Sequence, residues 1–284
     1  MYTSLLLLII FMISYIIYIA NTNTKRVSIN KLQFKSDSHI TSHTVPLNIL
    51  HLSDLHIENL SISPNELYKY LKDEEIDLIA ITGDFLDRKK SIPKLIPYLD
   101  VLNKLSAPYG MYAVFGNHDY VLKGKNFEAL KQTLENHGCV TLQNENKWIP
   151  IGDKMLNIIG IDDYSTKRSD VEKSYKDLGN GFNLVLTHDP NIVLHMKNVS
   201  YDLLLSGHFH GGQIHWPKPY HLAKMGKLAR LNIIKGLHYE DGKPYYISEG
   251  LGQTGVNIRV GSSPEITFHQ IHLEEQASII SKVI

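Results

Sequence analysis

The chain has 284 residues, enough for one large domain or two small ones. Its 29 Lys and Arg balance 29 Asp and Glu, which excludes a globally basic nucleic-acid binder and an acidic disordered chain, and 43% hydrophobic residues suffice for a core. The single cysteine, Cys139, rules out an internal disulfide and Cys-rich zinc sites, whereas 15 histidines direct attention to metal or phosphate chemistry.

No charged side chain precedes Lys25. Tyr2 to Ala20 reads YTSLLLLIIFMISYIIYIA. A helix of that length spans roughly 28 Å, close to the ~30 Å core of a bilayer. A buried core helix is rarely apolar on every face. A cleaved signal peptide has a basic leader and small residues before the cut, and here Tyr18 stands where a small one is wanted. Residues 1–24 are therefore expected to be an uncleaved transmembrane anchor, and the protein a single-pass protein of the cell membrane. Lys25, Arg26, Lys31 and Lys35 follow the anchor, so the positive-inside rule favours a cytoplasmic catalytic domain. Residues 25–45 read as a linker with an edge strand over Val27–Phe34.

From Pro46 onward, short apolar runs alternate with polar, helix-like stretches. The runs are Leu47–Leu52, Ile76–Ile81, Met111–Phe115, Leu156–Ile161, Asn183–Leu186, Asp202–Leu205 and Tyr245–Ile247, each the length of a buried strand. Helices are expected over Pro64–Lys72, Ile92–Lys104, Phe127–His137 and Val171–Asp177. The alternation implies an α/β domain, taken as residues 46–273, with a C-terminal tail over 274–284.

Polar residues recur just past the ends of these runs. They are Asp54 and His56, then Gly83, Asp84 and Asp87, then Gly116 to Asp119, then His188, then Gly207 to Gly212. In open α/β sheets ligands bind at the carboxyl ends of strands. Asp, Asn and His offer oxygen and imidazole nitrogen but no thiolate, which suits Mn, Fe, Zn or Co. Asp54 and His56 lie two apart, as do His208 and His210, so each pair can converge on one centre. Asp84 could bridge two ions, and two metals ~3.5–4 Å apart can clamp a phosphoryl group.

The order D-x-H, G-D, G-N-H-D, a lone His and G-H-x-H resembles the calcineurin-like metallophosphoesterases. The apolar N-terminus, LSDLH, HGGQ and GLGQTG…RVGSSPEI extend the likeness to the YkuE/YaeI-type membrane-associated phosphodiesterases. That resemblance implies a sandwich of two mixed β-sheets flanked by helices, behind one transmembrane helix. It implies two divalent transition-metal ions (Mn, Fe, Zn or Co): Asp54, His56 and His210 on the first, Asn117, His188 and His208 on the second, and Asp84 bridging. His118 would face the substrate and protonate the leaving oxygen, while a metal-bridged hydroxide attacks phosphorus in line. Gly211, Gly212 and His215 are candidate substrate contacts. The expected activity is that of a phosphodiesterase or pyrophosphatase on an anionic phosphoester, and the anchor makes a lipid-linked one plausible. No nucleic-acid partner is expected, and no obligate protein partner is implied. Glu249 departs from relatives that carry a basic or neutral residue there, which questions phosphate preference if it faces the substrate.

The rival from another class is an envelope phosphate-polymer or lipid binding protein with weak or no catalysis. His118 argues against it, because binding alone needs no general acid. An amidohydrolase would begin with H-x-H rather than Asp54-x-His56. His51 reads as a core residue of the first strand. Asp87 could orient a ligand, with helix capping the simpler role. Asp119 is either a support for a neighbour or a turn contact. From Leu203 to Tyr239 there is no Asp or Glu in 37 residues, while Lys218, Lys224, Lys227, Arg230 and Lys235 interleave with Trp216, Tyr220 and aliphatics. This stretch is expected to form either a basic amphipathic flap that meets headgroups or an anionic substrate, or a loop packed on the domain.

Overall fold

The apolar runs become strands because each is short, rich in Leu, Ile and Val, and stopped by Gly, Asp, Asn or Ser. In this computed structural model, which describes residues 2–34 and 45–273, they form two six-stranded sheets. The first sheet contains β1 (Ser28–Phe34), β2 (Val45–Leu52), β3 (Leu78–Thr82), β4 (Met111–Val114), β5 (Cys139–Thr141) and β12 (Glu265–Leu273), in the order β1-β12-β2-β3-β4-β5. The second contains β6 (Glu145–Ile151), β7 (Lys154–Gly160), β8 (Phe182–Leu186), β9 (Leu203–Ser206), β10 (Gly236–Glu240) and β11 (Lys243–Ile247), in the order β10-β11-β9-β8-β7-β6. Neighbours from β2 to β5 are parallel, as are those from β7 through β8 and β9 to β11. The antiparallel pairs are β12 with β2, β6 with β7 and β10 with β11, so both sheets are mixed.

Both faces of the central strands are buried, which is why they read as continuous apolar runs rather than alternating ones. Leu47, Ile49, Leu78 and Ala80 meet Leu156, Ile158, Leu184 and Leu186 between the sheets. Leu50, Leu52, Ile79 and Ile81 face outward under α2 (Pro64–Leu71), α3 (Ile92–Lys104) and α4 (Lys125–Asn136). On the outer face of the second sheet, Ile159, Val185, Leu204 and Ile247 pack beneath Ile192, Phe209 and Leu228. The result is the helix–sheet–sheet–helix layering expected from the motif order.

α1 (Tyr2–Asn23) is a helix of roughly 33 Å whose side chains are exposed up to its last turn, where Ala20 is buried. It is apolar and long enough to cross a membrane. β1 lies at the sheet edge expected for it, parallel to β12. Residues 35–44, which include His39 and His43, and the tail 274–284 lie outside the described residues.

Four strands were not legible as apolar runs. β12 carries Thr267 and His269 in the core, so a buried strand reads as polar. β6 is an edge strand with Pro150 and an exposed Trp148, and β5 and β10 are short and close the remaining edges. The helix expected over Val171–Asp177 is a single turn, α5 (Val171–Ser174). Asp177 adopts a left-handed backbone (φ 56°), which a continuing helix cannot accept.

Candidate metal centre

β2, β3 and β4 of the first sheet and β8 and β9 of the second end at the same edge of the molecule. The five polar segments that follow them therefore meet. Residues around Asp54, Asp84, His118, His188 and His208 converge although up to 154 positions separate them in the chain. Asp54, His56, Asp84, His208 and His210 all adopt left-handed backbone, with φ between 38° and 78°. Non-glycine residues held there cost about 1–3 kcal/mol each, and such strain concentrates at functional sites.

Each carboxylate is anchored by backbone or hydroxyl donors and turns one oxygen toward imidazole nitrogens, and the His208 N–H is shared between both Asp54 oxygens. Asp54 Oδ2 accepts from Ser53 Oγ at 2.6 Å and from the His208 N–H at 3.1 Å. Its Oδ1 lies 3.3 Å from His210 Nε2 and 3.9 Å from His188 Nε2. Asp84 Oδ1 accepts from the His118 N–H at 2.9 Å. Its Oδ2 stands between His56 Nε2, at 3.4 Å, and His188 Nε2, at 3.1 Å. His208 Nδ1 closes the second group, 3.1 Å from His188 Nε2. The Asp54–His56–His210 and Asp84–His188–His208 groups each gather their donor atoms within 4.8 Å.

Backbone carbonyls orient the rings. Thr82 O accepts from His188 Nδ1 at 2.7 Å, and Gly252 O lies 3.2 Å from His210 Nδ1. Both contacts place the proton on Nδ1 and turn Nε2 inward, as a carbonyl does for a metal-binding imidazole. Among the described residues, neither ring nitrogen of His56 makes a hydrogen bond, nor does Asn117 Oδ1, although all three atoms are buried. Buried polar atoms are rarely left unpaired. The donor set is nitrogen and oxygen only, and with these orphaned atoms it fits divalent transition-metal ions.

The charge balance points the same way. Burial opposes ionisation of Asp54 and Asp84, yet the neighbouring histidines hold Asp54 below the usual carboxylate range and Asp84 well below it. Burial alone would lower His56, but Asp84, Asp87 and Asp54 raise it to about 10. His188 is likewise raised well above its ordinary value, against burial, by Asp84 and Asp54. Burial wins at His210 and lowers it to about 3. Two imidazoles, those of His56 and His188, thus carry protons that cations would displace.

His118 stands apart. Its Nδ1 is 2.7 Å from Asp87 Oδ1, and the same oxygen is 3.5 Å from His56 Nδ1. Burial pulls His118 down, but Asp87 and Asp84 raise it overall, which favours the protonated ring. Asp87 is therefore no helix cap: Arg88 precedes the short turn that follows, without a side-chain cap, and the Asp87 carboxylate orients a histidine instead. Asp119 accepts from the N–H groups of Asp84, Phe85 and Gly116, tying the second motif to the third.

Gly211 and Gly212 are buried in the turn after His210, and His215 donates its N–H to Val260 O at 2.6 Å. A Cβ on Gly211 would lie 2.1 Å from Glu249 Oε2, so Glu249 packs under this turn. Its Oε1 pairs with Lys235 Nζ at 2.9 Å, which offsets its charge. A cavity of 490 Å³ opens beside His208, lined by Tyr164, Ser165, Lys167, Ser169, Lys224 and Asp189, whose Oδ1 accepts from Asn191.

One contributor escaped sequence reasoning. Arg259 is fully buried, and its guanidinium donates to the carbonyls of Glu249, Gly250, Gly252 and Ser263. It braces the loop whose Gly252 carbonyl orients His210. No local signal marks such an arginine, because its partners are carbonyls. His51 is in the core as expected. It sits 2.9 Å from Thr82 Oγ1, the residue whose carbonyl orients His188.

The sequence model of the calcineurin-like phosphoesterases matches residues 47–212. The metallophosphoesterase YkoQ of Bacillus subtilis (strain 168) is 64% identical over 271 residues, covering 95% of this chain and 100% of that protein. The metallophosphoesterase YkuE of the same organism is 29% identical, covering 69% of this chain and 68% of its own. The UDP-2,3-diacylglucosamine pyrophosphatase LpxG of Chlamydia trachomatis is 27% identical over 79% of this chain and 83% of its own. The family match takes in all five converging segments and more than half of the sequence, and the chain belongs to the calcineurin-like phosphoesterases, metal-dependent hydrolases of phosphoric esters.

Proposed function

We propose that the protein is a membrane-anchored, dinuclear-metal phosphodiesterase or pyrophosphatase acting on a lipid-linked phosphoester. The observation that carries this reading is the position of Asp84 Oδ2 between His56 and His188, one oxygen shared by two groups of donors. Asp54, His56 and His210 hold one ion in this reading, and Asn117, His188 and His208 hold the other, with Asp84 between them. Bound there, two ions polarise the phosphoryl oxygens and supply an activated water. His118, protonated and oriented by Asp87, stabilises the phosphoryl charge and gives its proton to the leaving oxygen. The cavity beside His208, with Lys167, Lys224 and three hydroxyls, suits a polar and anionic part of the substrate. The α1 helix supports anchoring, the basic residues after it favour a cytoplasmic domain, and the similarity to a pyrophosphatase named for a diacylated nucleotide-sugar supports a lipid-linked substrate.

The test uses the full chain in detergent, stripped of metal and reloaded with Mn²⁺. Hydrolysis of bis-p-nitrophenyl phosphate and of a nucleotide-diphospho-lipid is compared with Asp84→Ala and His118→Ala. Metal-dependent turnover lost in both variants, with the lipid-borne substrate preferred, is the expected result. Two bound ions without turnover of either compound would overturn it.

A further inference from the structure

α1 meets the rest of the chain without a spacer. Its apolar run ends at Ala20, and Ala20 is already buried. The Ala20 carbonyl accepts from the Arg259 N–H at 2.8 Å. Asn21 Nδ2 donates to the Asn257 carbonyl at 2.8 Å, and Asn23 Nδ2 to that of Arg259 at 3.1 Å. A bilayer around the apolar run therefore ends at the surface that carries residues 254–260. Those residues are joined in turn to the segment that follows His210. Gln213 Nε2 donates to the carbonyls of Thr254 and Val256, and the Val260 N–H donates to the Gln213 carbonyl. The helix end, the 254–260 loop and the rim of the metal centre are one connected surface.

That surface is apolar and basic at once. Val256 is 57% exposed, Trp216 78%, Tyr220 70% and Leu231 58%. Leu222, Leu228 and Ile234 pin the same segment to the domain, so it is anchored at its back and bare at its front. Lys218, Lys224, Lys227 and Arg230 are exposed along it, and no acidic residue lies between Leu203 and Tyr239. Indole and phenol rings favour the headgroup level, exposed aliphatics the acyl boundary, and cations an anionic leaflet.

We infer that the Ile214–Leu231 segment and Val256 form an interfacial platform that rests on the anionic headgroups of the bilayer crossed by α1, holding the mouth of the metal centre at the membrane surface. The inference rests on the anchoring proposed above and adds that the phosphoester enters from the membrane plane. In this inference the apolar side of the acid-free stretch packs on the domain, through Leu222, Leu228 and Ile234, while its basic side meets lipid.

The chain contains two tryptophans, which makes the test direct. Trp148 is 62% exposed on the edge strand β6, outside this surface, and serves as the control. The full chain is reconstituted in vesicles of phosphatidylcholine and phosphatidylglycerol containing brominated acyl chains. Trp148→Phe leaves Trp216 as the reporter, and Trp216→Phe leaves Trp148. Trp216 emission should shift to the blue and be quenched at least about twofold more than that of Trp148. Lys227→Glu with Arg230→Glu should reduce that quenching and slow turnover of a lipid-borne substrate, with hydrolysis of bis-p-nitrophenyl phosphate unchanged. If the chain floats with the vesicles after an alkaline wash but Trp216 is quenched no more than Trp148, the platform is overturned and the anchor stands. If the chain does not float, the anchor fails and the platform with it.

Discussion

A methyl group on Gly207 should disable the site although none of its donor residues is replaced. Gly207 follows β9, where the two sheets come together at their carboxyl ends. A Cβ built there lies 1.9 Å from Ser53 Oγ, 2.2 Å from Asp54 Oδ2 and 2.9 Å from Ser53 Cβ. The serine hydroxyl could rotate away, but its Cβ could not, and the 2.6 Å bond that steadies Asp54 would be lost either way. Restoring ordinary contact requires the Asp54 carboxylate to retreat by about 1 Å, a displacement that typically costs ~10²-fold in turnover. Loss of such an orienting contact lowers metal affinity by about 10–100-fold. Overpacking of this kind also costs about 1–3 kcal/mol of folding stability. The assay is Mn²⁺-dependent hydrolysis of bis-p-nitrophenyl phosphate by Gly207→Ala, with calorimetric titration of Mn²⁺ into the stripped protein. Gly179→Ala is the control, because a Cβ there meets nothing within 4 Å. A folded Gly207→Ala protein with turnover and metal affinity within about twofold of the parent would refute the reasoning.

Further expectations concern charge. Asp87→Asn removes the carboxylate that raises His118 against burial, so the ring loses its proton at lower pH and the alkaline limb of the kcat profile moves toward acid. An unchanged limb would detach His118 from the proton transfer. His56 at about 10 and His188 well above its ordinary value are both protonated at neutral pH without metal, and both must be neutral to bind it. Metal loading at pH 7 should therefore release protons, and affinity should rise with pH. Calorimetry in buffers of different ionisation enthalpy detects this, and equal heats in all buffers would contradict it. Arg259→Met strands the carbonyls of Glu249, Gly250, Gly252 and Ser263 and should destabilise the fold, by about 1–3 kcal/mol for each carbonyl that finds no new partner, in urea titrations. A loss below about 1 kcal/mol would mean that water replaces the guanidinium. Saturating Mn²⁺ should raise Tm, by about 2.7 kcal/mol of linkage at a hundredfold excess over Kd, and EDTA should abolish the gain.

Much of this protein is legible in one dimension because its determinants are local. The apolar N-terminal run, the short strand-length runs and the polar residues that stop them follow from side-chain chemistry and spacing within a few positions. The motif order identified the family, and the fold followed, because strands buried on both faces must pack as sheets covered by helices. The donors gathered around Asp54 and Asp84 were all nameable in advance, since each stands directly after a strand.

The tertiary structure alone decided what lies between distant residues. Asp87 became the partner of His118 rather than a cap because β3 and β4 are neighbours, which brings the residues after them within 2.7 Å. Thr267 and His269 hid β12, because strand patterning is read from apolar side chains and these are polar and buried. The brace from Arg259 to Gly252, and from Gly252 to His210, runs through backbone carbonyls, which every residue carries and no sequence pattern reveals. The link from the end of α1 through residues 254–260 to the rim of the site is likewise made of backbone and amide hydrogen bonds, closed only when positions some 236 residues apart come together.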